Sequence, residues 1–254
     1  MHVMVHKFKK VLLANRGEIA IRIFRALEEL GISAVAVCAK EDRYALVRSK
    51  ADEAYPLDPD KGPVDAYLDI PTIIRIAREK KADAIHPGYG FLSEYPAFAE
   101  ACRKNGIVFI GPTVEAMNIM GDKLSAKQAA YDSNVPIISG SDYILPDAEA
   151  AMAEADRIGY PVMLKASNGG GGRGMRIVER REDMEEAFAK SENESKRAFG
   201  ESKLFLEKYL LRPKHIEVQI LGDNYGNIVH LYDRDCSVQK NNQKVIEFAP
   251  AWTI

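Results

Sequence analysis

Between residues 11 and 110 the sequence alternates short apolar runs with amphipathic stretches, and this alternation restricts the fold more than any other feature. Val11-Leu12-Leu13-Ala14, Ser33 to Cys38, Asp83-Ala84-Ile85 and Ile107 to Ile110 read as buried strands. Glu18 to Leu30 spaces Ile19, Ile23, Ala26, Leu27 and Leu30 three or four apart and stops at Gly31, which predicts a helix. Further helices are predicted over about 72–80 and 97–104. Strands alternating with helices build a parallel, doubly wound sheet, so the fold class is α/β with a Rossmann-like first domain. Its first turn, Asn15-Arg16-Gly17-Glu18, lacks the three-glycine fingerprint, and no dinucleotide is assigned to it. His86-Pro87-Gly88-Tyr89-Gly90-Phe91-Leu92-Ser93-Glu94 follows the strand at Ile85, where open parallel sheets form their ligand crevice. A packed connection with a satisfied His86 explains that loop equally well.

A polar helix from Asp122 to about Tyr131 carries Lys123 and Lys127, and a new unit begins near Val135. An alanine-rich helix from Asp147 to Arg157 leads into the strand Pro161 to Lys165. Arg176-Ile177-Val178 is the next strand, followed by a helix over about 182–198 and a strand over 203–210. Between the first two of these strands lies Asn168 followed by Gly169, Gly170, Gly171 and Gly172. Consecutive glycines carry a high backbone entropy cost, and they expose N–H groups that can approach an anion closely. Gly169, Gly171 and Gly174 satisfy G-x-G-x-x-G, but a strand rather than a helix follows, which argues against a dinucleotide site. Strand, glycines and strand describe a flap over phosphates, with Lys165 placed to reach an oxygen. The alternative is a structural loop. Farther on, His215 to Leu221 alternates, with His215, Glu217 and Gln219 on a polar face, and strands at 228–232, 235–239 and 243–247 begin an antiparallel sheet. That sheet reads as unfinished at Ile254.

Charge narrows the partners. With 35 basic and 37 acidic side chains the net charge is −2, so no bulk electrostatic footprint for nucleic acid or an anionic membrane exists. Cys38, Cys102 and Cys236 have no C-x-x-C spacing, which argues against a disulfide framework or a structural zinc and points to a reducing, cytoplasmic location. Met1 to Lys10 shows neither a signal peptide nor a membrane span.

Ala14 to Ala20, His86 to Glu94, Met120-Gly121-Asp122-Lys123, Gly169 to Met175 and Arg234-Asp235-Cys236-Ser237 follow one another along the chain. These five motifs, in this order, resemble one family, the biotin carboxylases of the ATP-grasp superfamily. Gly62 to Leu68 looks more like the pyruvate carboxylase branch than the acyl-CoA carboxylase branches. The resemblance implies a ligase that phosphorylates bicarbonate with ATP to carboxyphosphate and passes the released CO2 to biotin on a carrier domain. It implies an N-terminal Rossmann-like domain over 1–120, a linker helix over 121–136, an ATP-grasp lid over 137–209 and the start of the C-terminal ATP-grasp sheet over 210–254. Lys123 and Lys165 would contact phosphate oxygens, and Gly169, Gly170, Gly171 and Gly172 would cover them. Glu207, Lys208 and Leu210 would lie along the adenine, with His215 and Gln239 near the nucleotide. Lys244 would be the catalytic cation facing bicarbonate and carboxyphosphate. Lys127 is outside the Met-Gly-Asp-Lys motif and is expected to be a solvated surface charge.

The resemblance also has gaps. Lys240-Asn241-Asn242 stands where the family usually carries two arginines and a histidine, and Asn168 replaces a residue that is commonly glycine or tyrosine. The family's magnesium ligands, bicarbonate-holding arginine and catalytic glutamate fall beyond Ile254, so Mg2+ has no expected ligand in this chain and turnover by it alone is expected to be slight or nil. The family suggests a homo-oligomer. Competing readings are a catalytically silent nucleotide-binding module and another ATP-grasp carboxylate ligase.

Overall fold

The computed structural model describes residues 8–167, 175–223, 225–240 and 243–252. The glycines 169–172, Asn168 and Asn241-Asn242 lie outside the described residues. The chain divides into two compact units, one ending at Gly121 and the other beginning at Asp122.

In the first unit five strands form one parallel sheet: β1 (Lys10–Leu13), β2 (Ser33–Cys38), β3 (Glu53–Pro56), β4 (Ala84–His86) and β5 (Val108–Phe109). Their order is β3-β2-β1-β4-β5, with Leu12 opposite both Val35 and Ile85. The helices are α1 (Gly17–Glu29), α2 (Leu46–Lys50), α3 (Ile70–Glu79), α4 (Pro96–Lys104) and α5 (Val114–Gly121). Strand periodicity explains why both faces are apolar. Leu12 and Ala14 point into one core with Ile73, Phe98 and Cys102, while Val11 and Leu13 point into the other with Phe24 and Leu27. Asp69 caps α3 by accepting from Thr72 N at 3.4 Å, and Pro71 follows in its first turn. β3, α2 and α5 carry little sequence signal; β3 is a half-exposed edge strand, and an edge needs no continuous apolar run.

In the second unit α6 (Lys123–Asp132) and α7 (Ala148–Ile158) precede β6 (Val162–Ala166), β7 (Arg176–Val178), α8 (Met184–Phe199) and β8 (Leu204–Lys208). The sheet is antiparallel in the order β7-β6-β8. Val162, Leu164, Leu204 and Leu206 pack against Ala151 and Ala155 of α7 and Met184 and Phe188 of α8. With that face taken, alternation puts Met163 and Lys165 on the other, in register with Glu207 and Phe205 respectively. Val135 to Ile138 forms no strand; instead the next residues pair along β8, where Lys208 N donates to Ser139 O at 2.7 Å and Ser141 N to Leu206 O at 2.9 Å.

β9 (Ile216–Gly222), β10 (Ile228–Lys240) and β11 (Gln243–Phe248) form the second antiparallel sheet, ordered β11-β10-β9. The segments read as two strands, 228–232 and 235–239, are one strand. Its register slips between His230 and Asp233, where Tyr232 has φ +64°, a local bulge that bends the strand without ending it. Val218, Ile220, Leu231 and Val245 on this sheet are exposed.

Candidate functional site

Antiparallel pairing sets Lys165 of β6 diagonally across from Glu207 of β8, and α6 adds two lysines to them. Lys165 Nζ makes an ion pair with Glu207 Oε2, across 42 residues of sequence. Lys127 Nζ lies 3.8 Å from the other oxygen, Oε1. Lys123, one turn before Lys127 on α6, feels both charges: burial holds its ammonium below the usual lysine value, repulsion from Lys165 lowers it further, and Glu207 opposes. Asp122 starts α6, accepting from Ser125 N at 2.8 Å and Ser125 Oγ at 2.7 Å, and those bonds hold its carboxyl below the ordinary range. Ser167 Oγ also donates to it at 3.3 Å, which ties the start of α6 to the residue that follows β6. The Asp122-Lys123 motif and Lys165 are thereby assembled into one cationic group. Lys127 is not the solvated charge the sequence suggested; its side chain is only 13% exposed.

Lys208 and Leu210 behave differently from Glu207. The Lys208 ammonium donates to Gly159 O at 2.8 Å and Tyr160 O at 2.9 Å, so its charge is spent on the turn before β6. Leu210, just past β8, is exposed. A cavity of about 680 Å³ is lined by Met163, Met175, Ile177 and Tyr209 together with charged groups such as Glu179 and Lys190.

His215 and Gln239, far apart in sequence, are joined directly: Gln239 Nε2 is 2.9 Å from His215 Nδ1, and it also donates to Cys236 O at 3.0 Å. Lys244 sits in a charge network that the sequence did not reveal. It donates to Glu247 Oε2 at 2.5 Å, approaches both oxygens of Glu217 at 3.4 Å and reaches Cys236 Sγ at 3.5 Å. Arg234 donates to Glu217 Oε1 through Nε at 2.8 Å and Nη2 at 2.5 Å, and its Nε lies 2.8 Å from Glu247 Oε1. Glu247 raises the Lys244 ammonium above the ordinary lysine value, and Arg234 holds the Glu217 carboxyl below the ordinary carboxylate range. Burial pushes the Cys236 thiol up, away from the nucleophilic thiolate. Glu217 stands on the polar face that the alternation of β9 marks out, the one signal that could have found it; Glu247 is set by pairing of β10 with β11.

In the first unit the two candidate loops clamp each other. Asn15 Nδ2 donates to Pro87 O at 2.7 Å and to Tyr89 O at 2.8 Å, while Asn15 Oδ1 accepts from Arg16 N at 2.8 Å. Gly88 has φ +65°, and a Cβ there would stand 2.7 Å from Asn15 Nδ2, so both conformation and space demand glycine. Gly88 N donates to His86 Nδ1 at 3.0 Å, and burial keeps the ring below the usual histidine value. His86 is thus satisfied within its own loop, at the switch point between β1 and β4.

Residues 122–254 match the family described as carbamoyl-phosphate synthase L chain, ATP binding domain. The class is therefore that of ATP-grasp enzymes. Residues 7–117 match the biotin carboxylase N-terminal domain, and the chain belongs to the biotin carboxylase family. It is 51% identical over 245 residues to pyruvate carboxylase of Staphylococcus aureus, and 51% identical over 243 residues to the mitochondrial pyruvate carboxylase of Homo sapiens; each match takes in 96% of this chain and 21% of the relative. The solved biotin carboxylase domain of Hydrogenobacter thermophilus 2-oxoglutarate carboxylase, in complex with MgADP, ADP and bicarbonate, is 50% identical with a TM-score of 0.89. That likeness covers 97% of this chain and 54% of the other. Biotin carboxylase of Campylobacter jejuni in a β-γ-ATP complex is 49% identical, also with a TM-score of 0.89, covering 96% of this chain and 55% of that one. The chain thus spans about a fifth of the curated relatives and about half of these solved carboxylase chains. No described helix is long and apolar enough to cross a membrane.

Magnesium does not fit the three-residue ligand group found among the described residues. The group closest to a ligand set, Glu217, Cys236 and Glu247, has donor atoms within 4.8 Å of one another. Arg234 and Lys244 already occupy those carboxylates, and a thiol is a poor ligand for a hard cation that takes oxygen donors.

Proposed function

We propose that this chain carries the nucleotide site, and part of the bicarbonate site, of an ATP-dependent biotin carboxylation, most like that of pyruvate carboxylase. The observation that carries this is the convergence of Lys165 and Lys127 on the single carboxylate of Glu207, with Lys123 one turn earlier on α6. Such a group offers more positive charge than its carboxylate can balance and suits a polyphosphate. In this reading Lys123 and Lys165 bind phosphate oxygens, Gly169 to Gly172 cover them, and the backbone from Glu207 to Leu210 reads the adenine edge. Lys208 then acts through its backbone. His215 and Gln239, already bonded to each other, line the nucleotide together. Lys244 faces the bicarbonate and carboxyphosphate, where a fixed ammonium stabilises developing anionic charge; its partners Glu217 and Glu247 keep it protonated and hold it in place. The acceptor is biotin on a carrier domain, and the chain acts as the N-terminal portion of a larger carboxylase, as the partial coverage of its relatives supports. Homo-oligomerisation belongs to the same proposal.

Calorimetry with ATP on the 254-residue chain and on Lys165→Ala tests it. Binding by the parent, weakened about tenfold or more in the variant as expected for loss of a charge-assisted contact, supports the reading. Equal binding by both proteins, or none by the parent, overturns it.

A further inference from the structure

The ammonium of Lys127 is buried and has no hydrogen-bond partner among the described residues. A half-satisfied buried cation is costly, so its place requires a reason. Its surroundings are built for it. A Cβ on Gly140 would come within 2.6 Å of Lys127 Nζ and 2.3 Å of Leu206 O, so the absence of a side chain at Gly140 leaves the ammonium its berth against β8. Gly140 bridges directly to Glu207, which fixes that berth beside the carboxylate. The two cations also divide the carboxylate: Lys165 holds Oε2, and Lys127 waits at 3.8 Å from Oε1, just beyond bonding distance.

We propose that Lys127 is the reserve counter-ion of Glu207, closing on its carboxylate when a polyphosphate draws Lys165 away. The proposal rests on the reading of this site as a nucleotide site. Lys165 cannot leave for a phosphate without exposing Glu207 as an uncompensated carboxylate next to the incoming anion. A second ammonium on the opposite oxygen removes that repulsion with a movement of under about 1 Å, because hydrogen-bonding distance is close to 3 Å. Lys127 is therefore a positioning residue that acts through Glu207 and does not touch the ligand.

A double-mutant cycle with ADP as the probe, read by calorimetry on the 254-residue chain, tests this. Lys127→Met is expected to weaken ADP binding about tenfold, equivalent to about 1.4 kcal/mol, and to weaken AMP less. Lys127→Arg, which keeps the charge and can reach the same oxygen, should restore most of it. In a Glu207→Gln background the Lys127→Met change should have less than about a twofold effect, since the group it serves is gone. The same loss in both backgrounds would make Lys127 a direct phosphate contact and refute the proposal. So would an unchanged affinity in Lys127→Met, or an arginine variant as weak as the methionine one. If the parent chain binds no ADP, the nucleotide reading itself fails, and the proposal falls with it; that result differs from a parent that binds and a variant that binds equally well.

Discussion

Replacing Glu207 by glutamine isolates the electrostatics of the lysine cluster, because it removes one charge and hardly alters shape. Its carboxylate is 16% exposed, against 26% for Lys165 and 13% for Lys127, so the pair contact is shielded from water without being dry. At an effective dielectric constant of about 20, a pair about 4 Å apart is worth about 4 kcal/mol. Partial exposure and relaxation of Lys165 toward solvent reduce this by about half, which gives an expected loss of about 2 kcal/mol. With a urea dependence of about 2 kcal/mol per molar, the unfolding midpoint falls by about 1 M. Circular dichroism during urea titration reads that shift. The sign of the salt effect identifies its cause. Two ammoniums left facing each other repel, and ions screen them over about 10 Å at 0.1 M, so the deficit shrinks in concentrated sodium chloride. Millimolar pyrophosphate should restore the midpoint of the variant more than that of the parent. An unchanged midpoint in low salt, or a deficit equal in low and high salt, would refute the electrostatic account.

The first unit offers three further tests. Asn15→Ala leaves Pro87 O and Tyr89 O without the donor they share, and a loss of about 1–3 kcal/mol in chemical unfolding is expected. Phe98 is fully buried and meets Phe109 edge to face at 5.9 Å, so Phe98→Ala should lose about 3–5 kcal/mol in the same assay, with Phe98→Leu much milder. Asp42 accepts from Arg16 and from Tyr67 Oη, and Arg16 first of all holds its carboxyl below the ordinary value. A depressed folded value means stability that is full above the unfolded value of about 3.9 and lost as pH falls through the folded one. Thermal melts of the parent should therefore decline more steeply below about pH 4 than those of Asp42→Asn; parallel declines would show that Asp42 is not a source of acid sensitivity.

What the sequence makes legible follows from how local each cause is. The apolar run of β1, the glycine stop after α1 and the aspartate at the start of α6 are local, and the observed elements lie within a residue or two of where the pattern puts them. β3 and α2 were illegible because an edge strand and a short helix bury too little to leave a periodic signature. The long β10 read as two strands for the opposite reason: Tyr232 at positive φ interrupts the alternation within one continuous strand.

Charged side chains show the limit most clearly. Lys123 and Lys127 lie one helical turn apart on α6, and nothing in their composition separates them from any exposed i, i+4 lysine pair. What separates Lys127 from solvent is a carboxylate from β8 and a missing side chain at Gly140, both brought in by pairing along β8. The same holds for Lys244, whose partners Glu217 and Glu247 come from β9 and from its own strand β11, and for His215, just before β9, with Gln239 of β10. A motif can mark a lysine as worth watching, but its electrostatic role depends on which acid the fold sets against it. For Lys165 that acid is 42 residues away and is shared with Lys127, which no motif marks. A lysine outside every motif can therefore decide how readily one inside a motif leaves its carboxylate for a phosphate.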